Sequence, residues 1–392
     1  MMLDKFLWKK ERENVMTGKK RVLMALHHRE ADRVPTGENQ LYGELASQIV
    51  GYKTLYATGW NEMKALWEGR REDVVRDYSR TLTDLTHKLD WDYVRVPVAP
   101  IKKKEYKTPR MTGPFSWIDE ESGREISYNP KAGNVMHSPM RQELTIDDLP
   151  DPDDDSYTID DSVFDTLRNV LKELKDTHFV IFRAPDGSFP WDDLGMEEFL
   201  IRMITDENFV RKAIGGAITR NIKFYNAALD IGADAIMTCD DYSDNRGPIM
   251  GADIFRKFIA PAIKRQADAI HKKGGFFIKH TDGNTWNIMD DLVDAGIDGW
   301  HGIQLNIGMD LSKLKKEYGK DICFFGGTNC DTFITGSPDK VRGEVKDSLR
   351  KAAKGGGLVF TCSNVVPPGS KLENYQAARE CLRKYGNYPI VF

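Results

Sequence analysis

The sequence predicts an α/β protein built as a (β/α)8 TIM barrel, with an N-terminal helical extension and a β-hairpin insertion after the second strand. Eight short apolar runs of strand-like composition occur along the 392 residues, and eight parallel strands close a barrel of this type. Most of these runs precede amphipathic helical sequence, and alternation of strand and helix is typical of a parallel sheet. One barrel with insertions reaches this chain length.

The predicted strands differ in the strength of their signal. In order, they are residues 33–35, 93–98, 179–182, 235–239, 276–280, 299–303, 322–326 and 358–362. The first run is the weakest because it has three residues and contains a proline, which cannot donate a hydrogen bond to a neighbouring strand.

Helical signals separate the later strands. Residues 254–273 have apolar positions at helical spacing and end at two glycines, while residues 338–354 begin after Ser337 and end at a glycine triplet. Serine before a helix and glycine after it are common helix boundaries. Another helix is predicted from Trp286.

The domain organisation follows from these elements. Residues 1–20 form the predicted extension and residues 21–392 the barrel, interrupted by an insertion at 101–161. Within the insertion, residues 115–128 predict a hairpin that turns at Ser122 and Gly123. The acidic run at 147–161 is interpreted as a solvated linker. We expect the insertion to lie over the barrel mouth.

Composition excludes several classes of function. The chain has 56 Lys plus Arg against 60 Asp plus Glu and no long basic stripe, which argues against a nucleic-acid partner. Its five cysteines form no Cys-x-x-Cys pair, as expected of free thiols in a reducing cytosol. No apolar leader and no stretch of about 18 apolar residues occurs. We therefore expect a cytoplasmic protein without a membrane partner.

The strongest functional signal is the pair His280 and Asp282 at the end of the fifth predicted strand. Side-chain direction repeats every two residues in a strand, so both groups face one point. They also precede a predicted helix, and strand-to-helix loops hold the active sites of (β/α)8 enzymes. The alternative is a solvated loop in which Asp282 caps that helix.

Other polar residues also follow predicted strands. Asp240 and Asp241 end the fourth strand, where two carboxylates would raise one pKa for acid catalysis or, alternatively, cap a helix and pair with Arg246. Candidates for substrate contact are Glu38, Arg183, Gln304, Asn329 and Asn364. Loop structure explains several of these equally well. Cys239 and Cys362 also end strands, and buried packing is the alternative for each.

Several motifs resemble the uroporphyrinogen decarboxylase superfamily. They are residues 21–35, the Asp240–Asp241 turn, residues 269–275 leading to His280, and residues 363–369 followed by Glu373-Asn374-Tyr375. The resemblance runs from about residue 19 to the C-terminus. It implies a (β/α)8 barrel, a homodimer, and an activity that is either porphyrinogen decarboxylation or cobalamin-linked methyl transfer.

Departures from the family pattern favour the methyltransferase branch. The decarboxylases resemble one another in an arginine-rich segment after the first strand, whereas residues 36–40 here are Thr-Gly-Glu-Asn-Gln. The methyltransferases bind zinc through His-x-Cys and a later Cys. The resemblance therefore implies zinc at His280, Asp282 and Cys362, with Glu38 and Asp240 as substitute ligands. Several other metals suit such ligands as well.

The leading hypothesis is metal-assisted transfer of a methyl group from a small methylated donor, of the methoxyaromatic or methylamine type, to a corrinoid. No Asp-x-His-x-x-Gly corrinoid-binding segment is present, so cobalamin would arrive on a partner protein or in solution. Asp240, Asp241 or Asp282 would position or protonate the donor. Two alternatives stay open: decarboxylation of a porphyrinogen or smaller acid, with Asp241 or Asp282 as the acid, and a non-catalytic binding barrel.

Overall fold

The computed structural model describes residues 16–103, 105–120, 122–138, 144–154, 156–191 and 195–392, apart from the side chain of Asn134. Most of the predicted N-terminal extension, residues 1–15, lies outside the described residues. The first helix, α1, spans Gly18–Leu26 across the predicted boundary at residue 20. Its Val22, Ala25 and Leu26 pack against the inner faces of the central strands, so α1 covers one end of the barrel.

A curled sheet of seven parallel strands forms the centre of the fold, in the order β1-β6-β7-β8-β9-β10-β11. These strands are β1 Tyr93–Val96, β6 Phe179–Arg183, β7 Ala235–Cys239, β8 Phe276–His280, β9 Gly299–His301, β10 Cys323–Thr328 and β11 Leu358–Cys362. Each neighbouring pair follows in chain order, as in a (β/α)8 barrel. The seven runs from residue 93 onward are therefore confirmed as strands.

The weakest predicted strand completes the barrel without forming a regular strand. Phe360 N donates to Pro35 O at 2.8 Å and Asp92 N donates to Thr36 O at 2.6 Å, so one short segment joins β11 to β1. Thr36 also pairs with Phe360 as a single parallel bridge. Because Pro35 has no N–H, the segment binds β11 mainly through its carbonyl oxygen.

The insertion is larger than the predicted hairpin. Four antiparallel strands, β2 Arg110–Gly113, β3 Ser116–Ile118, β4 Glu125–Asn129 and β5 Asn134–His137, form a separate sheet in sequence order. The predicted hairpin is its centre, with β3 and β4 joined through Gly123 at φ 67°. The outer strands lacked a recognisable signal because they are short and mostly polar.

An aromatic cluster attaches this second sheet to the helix layer. Trp60 stacks on Tyr128 with ring centroids 6.0 Å apart, and Trp67 meets Trp117 edge-on at 5.2 Å. Both tryptophans belong to one helix, Trp60–Trp67. Offset and edge-on aromatic pairs are the favoured geometries, so the insertion is held by packing at this point.

Helices cover the outer face of the barrel. They are α2 Gly43–Val50, α3 Trp60–Trp67, α4 Arg71–Leu89, α5 Asp165–Leu174, α6 Met196–Thr205, α7 Glu207–Ile231, α8 Ala260–Lys272, α9 Met289–Asp294, α10 Leu311–Tyr318, α11 Cys330–Thr335, α12 Pro338–Ser348 and α13 Leu372–Tyr385. Helical turns at Ala252–Ile254 and Phe255–Ile259 lead into α8, and Leu349–Ala353 extends α12. The predicted helices at 254–273 and 338–354 are confirmed. None of the described helices is long and apolar enough to cross a membrane.

The inside of the barrel changes character from one end to the other. Near α1 it is apolar, with Tyr93, Ile181, Met237, Ile278 and Phe325 in one buried cluster. At the carboxyl ends of the strands the inward positions become polar. These polar side chains therefore lie at the end of the barrel where (β/α)8 enzymes have their active sites.

Candidate active site

Five consecutive strands each present one polar side chain inward at their carboxyl ends. These residues are Arg95 on β1, Arg183 on β6, Cys239 on β7, His280 on β8 and His301 on β9. The parallel register pairs Cys239 with His280 and His280 with His301. Side chains of residues paired in this way lie on the same face of a sheet. The polar groups therefore form one continuous row around the barrel mouth.

The two histidines share a hydrogen bond that fixes their tautomers. His280 Nδ1 lies 2.6 Å from His301 Nδ1, and His301 Nε2 lies 3.2 Å from the carbonyl oxygen of Cys362. A carbonyl can only accept, so His301 Nε2 carries the proton and its Nδ1 accepts from His280 Nδ1–H. Burial and the neighbouring His280 hold the pKa of His301 well below its usual range. His280 Nε2 is thereby left with a lone pair.

Two carboxylates face this lone pair. His280 Nε2 is 3.7 Å from Asp241 Oδ1 and 3.8 Å from Asp282 Oδ1. The amide N–H of Asp282 donates to Asp241 Oδ1 at 3.0 Å, which ties the loops after β7 and β8 together. The structure thus brings His280 and Asp282 to one point, as the strand-end pattern predicts, and adds Asp241 to them.

Neighbouring amide side chains position Asp282 and its loop. Asn364 Nδ2 donates to Asp282 Oδ2, and Gln304 Oε1 accepts from the amide of Gly283 at 2.8 Å. The other carboxylate oxygen, Asp282 Oδ1, is buried and has no hydrogen-bond partner among the described residues. Burial, above all, raises the pKa of Asp282 to about 7, with the charge of Asp241 contributing. Asn364 and Gln304 therefore orient the loop, and Oδ1 stays available.

Three side chains that could hold a metal ion lie at the same point. Ligand atoms of Cys239, Asp241 and His280 all lie within 4.8 Å of one another, and thiolate, carboxylate and imidazole are the usual zinc ligands. In a tetrahedral site with bonds of about 2.0–2.3 Å, ligand atoms stand roughly 3.3–3.8 Å apart. The separation of His280 Nε2 and Asp241 Oδ1, 3.7 Å, lies within this range. The residues present therefore fit a small divalent cation.

Cys362 is not brought into this group. Its Sγ lies 3.3 Å from Cys330 Sγ, and its neighbours along β11, Leu358 and Phe360, pack with it in the outer core between strands and helices. Val359 instead faces the barrel interior. Because side chains alternate along a strand, Cys362 points away from His280. The structure thus places the thiol of Cys239 beside His280, and not that of Cys362, which the resemblance had implied.

Asp240 also points away from the mouth. Its Oδ2 accepts from Phe189 N at 3.0 Å and from Ser188 Oγ at 3.2 Å. Burial first, and then the charge of Asp186, raise the pKa of Asp240 well above its usual range. Arg246, the ion-pair partner considered in the sequence, pairs with Asp244 instead. Asp241, one residue later, is the carboxylate that faces the site.

Two predicted substrate contacts are occupied by structural hydrogen bonds. Glu38 Oε2 accepts from Thr361 Oγ1 at 2.7 Å and from Cys362 N at 2.9 Å, which attaches the segment after Thr36 to β11. Burial raises the pKa of Glu38 to about 7. Asn329 bonds through its backbone N–H to Glu344 Oε2 at 3.1 Å, on helix α12. The side chain of Asn329 also contacts Glu344, with Nδ2 donating to Oε1 at 3.5 Å.

Arg183 lies at the mouth as predicted. Arg95 and His301 belong to the same inward row but were not among the predicted site residues, and Cys239 was considered only as a strand-end thiol for which buried packing was the alternative. An arginine inside the apolar run 93–98 was a usable signal, because an isolated charge in a buried strand requires an explanation. Cys239 and His301 were detectable only once the register between strands was known.

Comparisons with known proteins agree with this architecture. The family model for uroporphyrinogen decarboxylase matches residues 94–385. Among curated relatives, the uroporphyrinogen decarboxylase of Chlorobium chlorochromatii is 23% identical over 281 residues, covering 68% of this chain and 76% of that protein. The corresponding enzyme of Alkalilimnicola ehrlichii is 24% identical over 312 residues, covering 74% of this chain and 79% of its own length.

A solved structure shows the same fold over nearly the whole chain. It is a methyltransferase from Methanosarcina mazei with a TM-score of 0.67 and 20% identity, covering 95% of this chain and 99% of that one. The family match spans β1 to α13 and includes all of the strand ends described above. The chain therefore belongs to the uroporphyrinogen decarboxylase family.

Proposed function

We propose that the protein transfers a methyl group from a small methylated donor, of the methoxyaromatic or methylamine type, to the cobalt of a corrinoid, with a bound metal ion assisting. The observation that carries this proposal is the convergence of Cys239, Asp241 and His280 at the barrel mouth. The fold shared with the methyltransferase from Methanosarcina mazei supports it.

In this proposal Cys239, Asp241 and His280 hold the metal, and zinc suits their combination of sulfur, oxygen and nitrogen. When bound, such an ion supplies Lewis acidity to the oxygen or nitrogen from which the methyl group leaves. His301 does not bind the metal in this proposal. Its Nδ1 accepts a hydrogen bond from His280 Nδ1–H, which leaves Nε2 as the nitrogen available to the metal.

Asp282 is proposed to handle the proton of the leaving group. Asn364 fixes its Oδ2, while its Oδ1 has no partner among the described residues and lies 3.8 Å from His280 Nε2. A protonated Oδ1 would donate to the departing oxygen or nitrogen of the donor. Asp240 is not assigned a role in this step because its side chain bonds to Ser188 and Phe189.

Cobalamin is proposed to come from a separate corrinoid protein, which docks at the barrel mouth. The donor, bound beside Cys239 and His280, would then lie between the strand ends and the approaching cobalt. The homodimer and the cytoplasmic location also remain proposals, resting on family resemblance and composition.

The test is a methyl-transfer assay with free cob(I)alamin and a panel of methoxyaromatics and methylamines. Formation of methylcobalamin is followed by absorbance in the wild type, His280→Ala and Cys381→Ser, whose thiol lies on α13 and contacts Arg342 O at 3.6 Å. Methyl transfer by the wild type and Cys381→Ser but not by His280→Ala would support the proposal. No methylcobalamin with any donor, with free cobalamin or with a corrinoid protein, would refute it.

Decarboxylation of a porphyrinogen or a smaller acid is the second candidate, favoured by the names of the curated relatives. The segment after Thr36 opposes a porphyrinogen substrate, because it offers no arginine and its Glu38 is bonded to β11. Carbon dioxide release from uroporphyrinogen by the purified protein, lost in Asp282→Asn, would establish this alternative.

A further inference from the structure

Arg95 differs from the other buried arginines of the described chain. Arg21 bonds to Asp32 and Asp92, Arg71 to Asp165, and Arg379 to Thr36 and backbone carbonyls. Arg95 is only 7% exposed, its Nε has no partner, and neither a hydrogen bond nor an ion pair joins it to any described residue. A buried guanidinium with five donors and no acceptor is costly unless something else supplies the acceptors.

A second arginine lies beside it. In the β1–β6 register, Arg95 pairs with Ile181, so Arg183 is two residues further along the neighbouring strand and on the same face. Arg183 likewise has no ion-pair partner among the described residues. Burial, and after it the charge of Arg183, lower the pKa of Arg95 to about 10. Two guanidinium groups that repel each other in a buried place form a site for an anion.

The pair adjoins the metal-binding group. Arg183 and Met237 are register partners, which places Cys239 two residues further along β7 on the same inward face. Burial raises the pKa of the Cys239 thiol, and the nearby charge of Arg183 opposes that rise. An anion bound by the arginines would therefore belong to the same molecule that reaches Cys239 and His280.

We infer that Arg95 and Arg183 form a carboxylate-binding subsite, and that the substrate is a small acid whose carboxylate docks there while its reacting group faces Cys239 and His280. This inference deepens the proposed function and rests on it for the position of the reacting group. A carboxylate matches the planar fork of a guanidinium in a two-point contact, and two such forks neutralise and orient it. The carboxylate would supply the acceptors that Arg95 lacks.

The experiment is isothermal titration calorimetry with benzoate, 3-methoxybenzoate and methoxyacetate, each compared with its neutral amide, and with inorganic phosphate. We expect at least one acid to bind at least 30-fold more tightly than its amide. Arg95→Met and Arg183→Met should remove that preference and leave amide affinity unchanged. The matched control, Arg246→Met, replaces an exposed arginine that pairs with Asp244 and should bind as the wild type does.

The Arg95→Met variant is expected to fold, because it replaces an unpaired buried charge with an apolar side chain of similar length. Its Tm should equal or exceed that of the wild type. Three results would overturn the subsite. They are equal affinity for every acid and its amide, no binding of any acid, and a preference for the acid that is unchanged in folded Arg95→Met. Tighter binding of phosphate than of every acid would overturn the carboxylate assignment. Since binding is measured without cobalamin, a protein that prefers acids but transfers no methyl group would refute the proposed function alone.

Discussion

His280 and His301 are joined through their Nδ1 atoms at 2.6 Å, and His301 is anchored in turn to the carbonyl oxygen of Cys362 at 3.2 Å. This chain of two hydrogen bonds crosses from β8 through β9 to β11. Its consequence is that His280 directs Nε2, the nitrogen that carries the lone pair in the neutral ring, towards Asp241 and Asp282. His301, which contacts neither Asp241 nor Asp282 itself, thus determines which nitrogen of His280 faces these two carboxylates.

His301→Ala should weaken metal binding without abolishing it. Removing the acceptor leaves His280 Nδ1–H without a partner and frees the ring to rotate, and loss of such a partner typically reduces metal affinity about 10–100-fold. Competition with a chromogenic chelator measures the change. The control is His271→Ala, whose side chain pairs with Asp298 on the outside of the barrel at 2.8 Å. Equal metal affinity in His301→Ala and the wild type would contradict the assigned role.

Asp92→Ala should destabilise the closure of the barrel. The carboxylate of Asp92 is fully buried and receives Arg21 Nη1 at 3.1 Å, Arg33 Nη1 at 2.5 Å and Thr36 N at 2.8 Å. Its removal leaves two arginines without their shared partner, a change that costs about 3–5 kcal/mol in buried ion pairs. Urea unfolding measures the loss.

The matched control for Asp92 is Asp253→Ala, which removes an exposed carboxylate that pairs with Arg256 at 3.3 Å. Exposed pairs contribute at most about 1 kcal/mol, so its unfolding curve should nearly overlay that of the wild type. A similar small effect in Asp92→Ala would show that the barrel does not depend on this network.

Glu38→Gln should make stability less dependent on pH. Burial raises the pKa of Glu38 from 4.5 to about 7 in the folded state, so folding favours the protonated form. Stability from this group is greatest below pH 4.5 and declines as pH rises towards 7. At about 1.4 kcal/mol per pKa unit, the wild type should lose roughly 2–3 kcal/mol relative to the variant between pH 5 and pH 8. Parallel curves of unfolding free energy against pH would contradict this.

Gly302→Ala should disturb the strand end that carries His301. Gly302 has φ 108°, and a Cβ there would lie 2.2 Å from the carbonyl oxygen of Thr281. We expect a loss of at least about 2 kcal/mol, the combined effect of an unfavourable φ and a backbone clash. Gly343→Ala is the control: this helix residue has open space around it, so the change should stabilise by up to about 1 kcal/mol. The measurement is the Tm of both variants relative to the wild type. A Tm of Gly302→Ala above that of the wild type would contradict the expected clash.

The strands of the barrel were readable from the sequence because buried parallel strands are short apolar runs bounded by polar or glycine residues. The runs at 235–239, 276–280 and 358–362 have the observed bounds of β7, β8 and β11. The segment at 33–35 was correctly placed but forms single bridges, since its proline prevents a regular ladder.

The site was harder to predict than the fold. Alternation within one strand sufficed to bring His280 and Asp282 together. The choice between Cys239 and Cys362 required knowing which face of each strand is inside the barrel, and both faces of these strands are apolar. The same uncertainty about faces explains why Asp240 was predicted at the site. It follows Cys239 by one residue, so its side chain points to the opposite face. Arg95 was missed because its lack of a partner is a property of the folded chain.

Metal analysis of protein purified without chelator shows whether Cys239, Asp241 and His280 bind a metal ion. Four proteins are compared: the wild type, His280→Ala, Cys239→Ser and Cys362→Ser, the last replacing a strand-end thiol that faces Cys330. We expect about one zinc ion per chain, as an open three-ligand site holds, in the wild type and Cys362→Ser. The other two variants should lose that ion. A metal-free wild type, or loss of metal in Cys362→Ser with retention in Cys239→Ser, would contradict it.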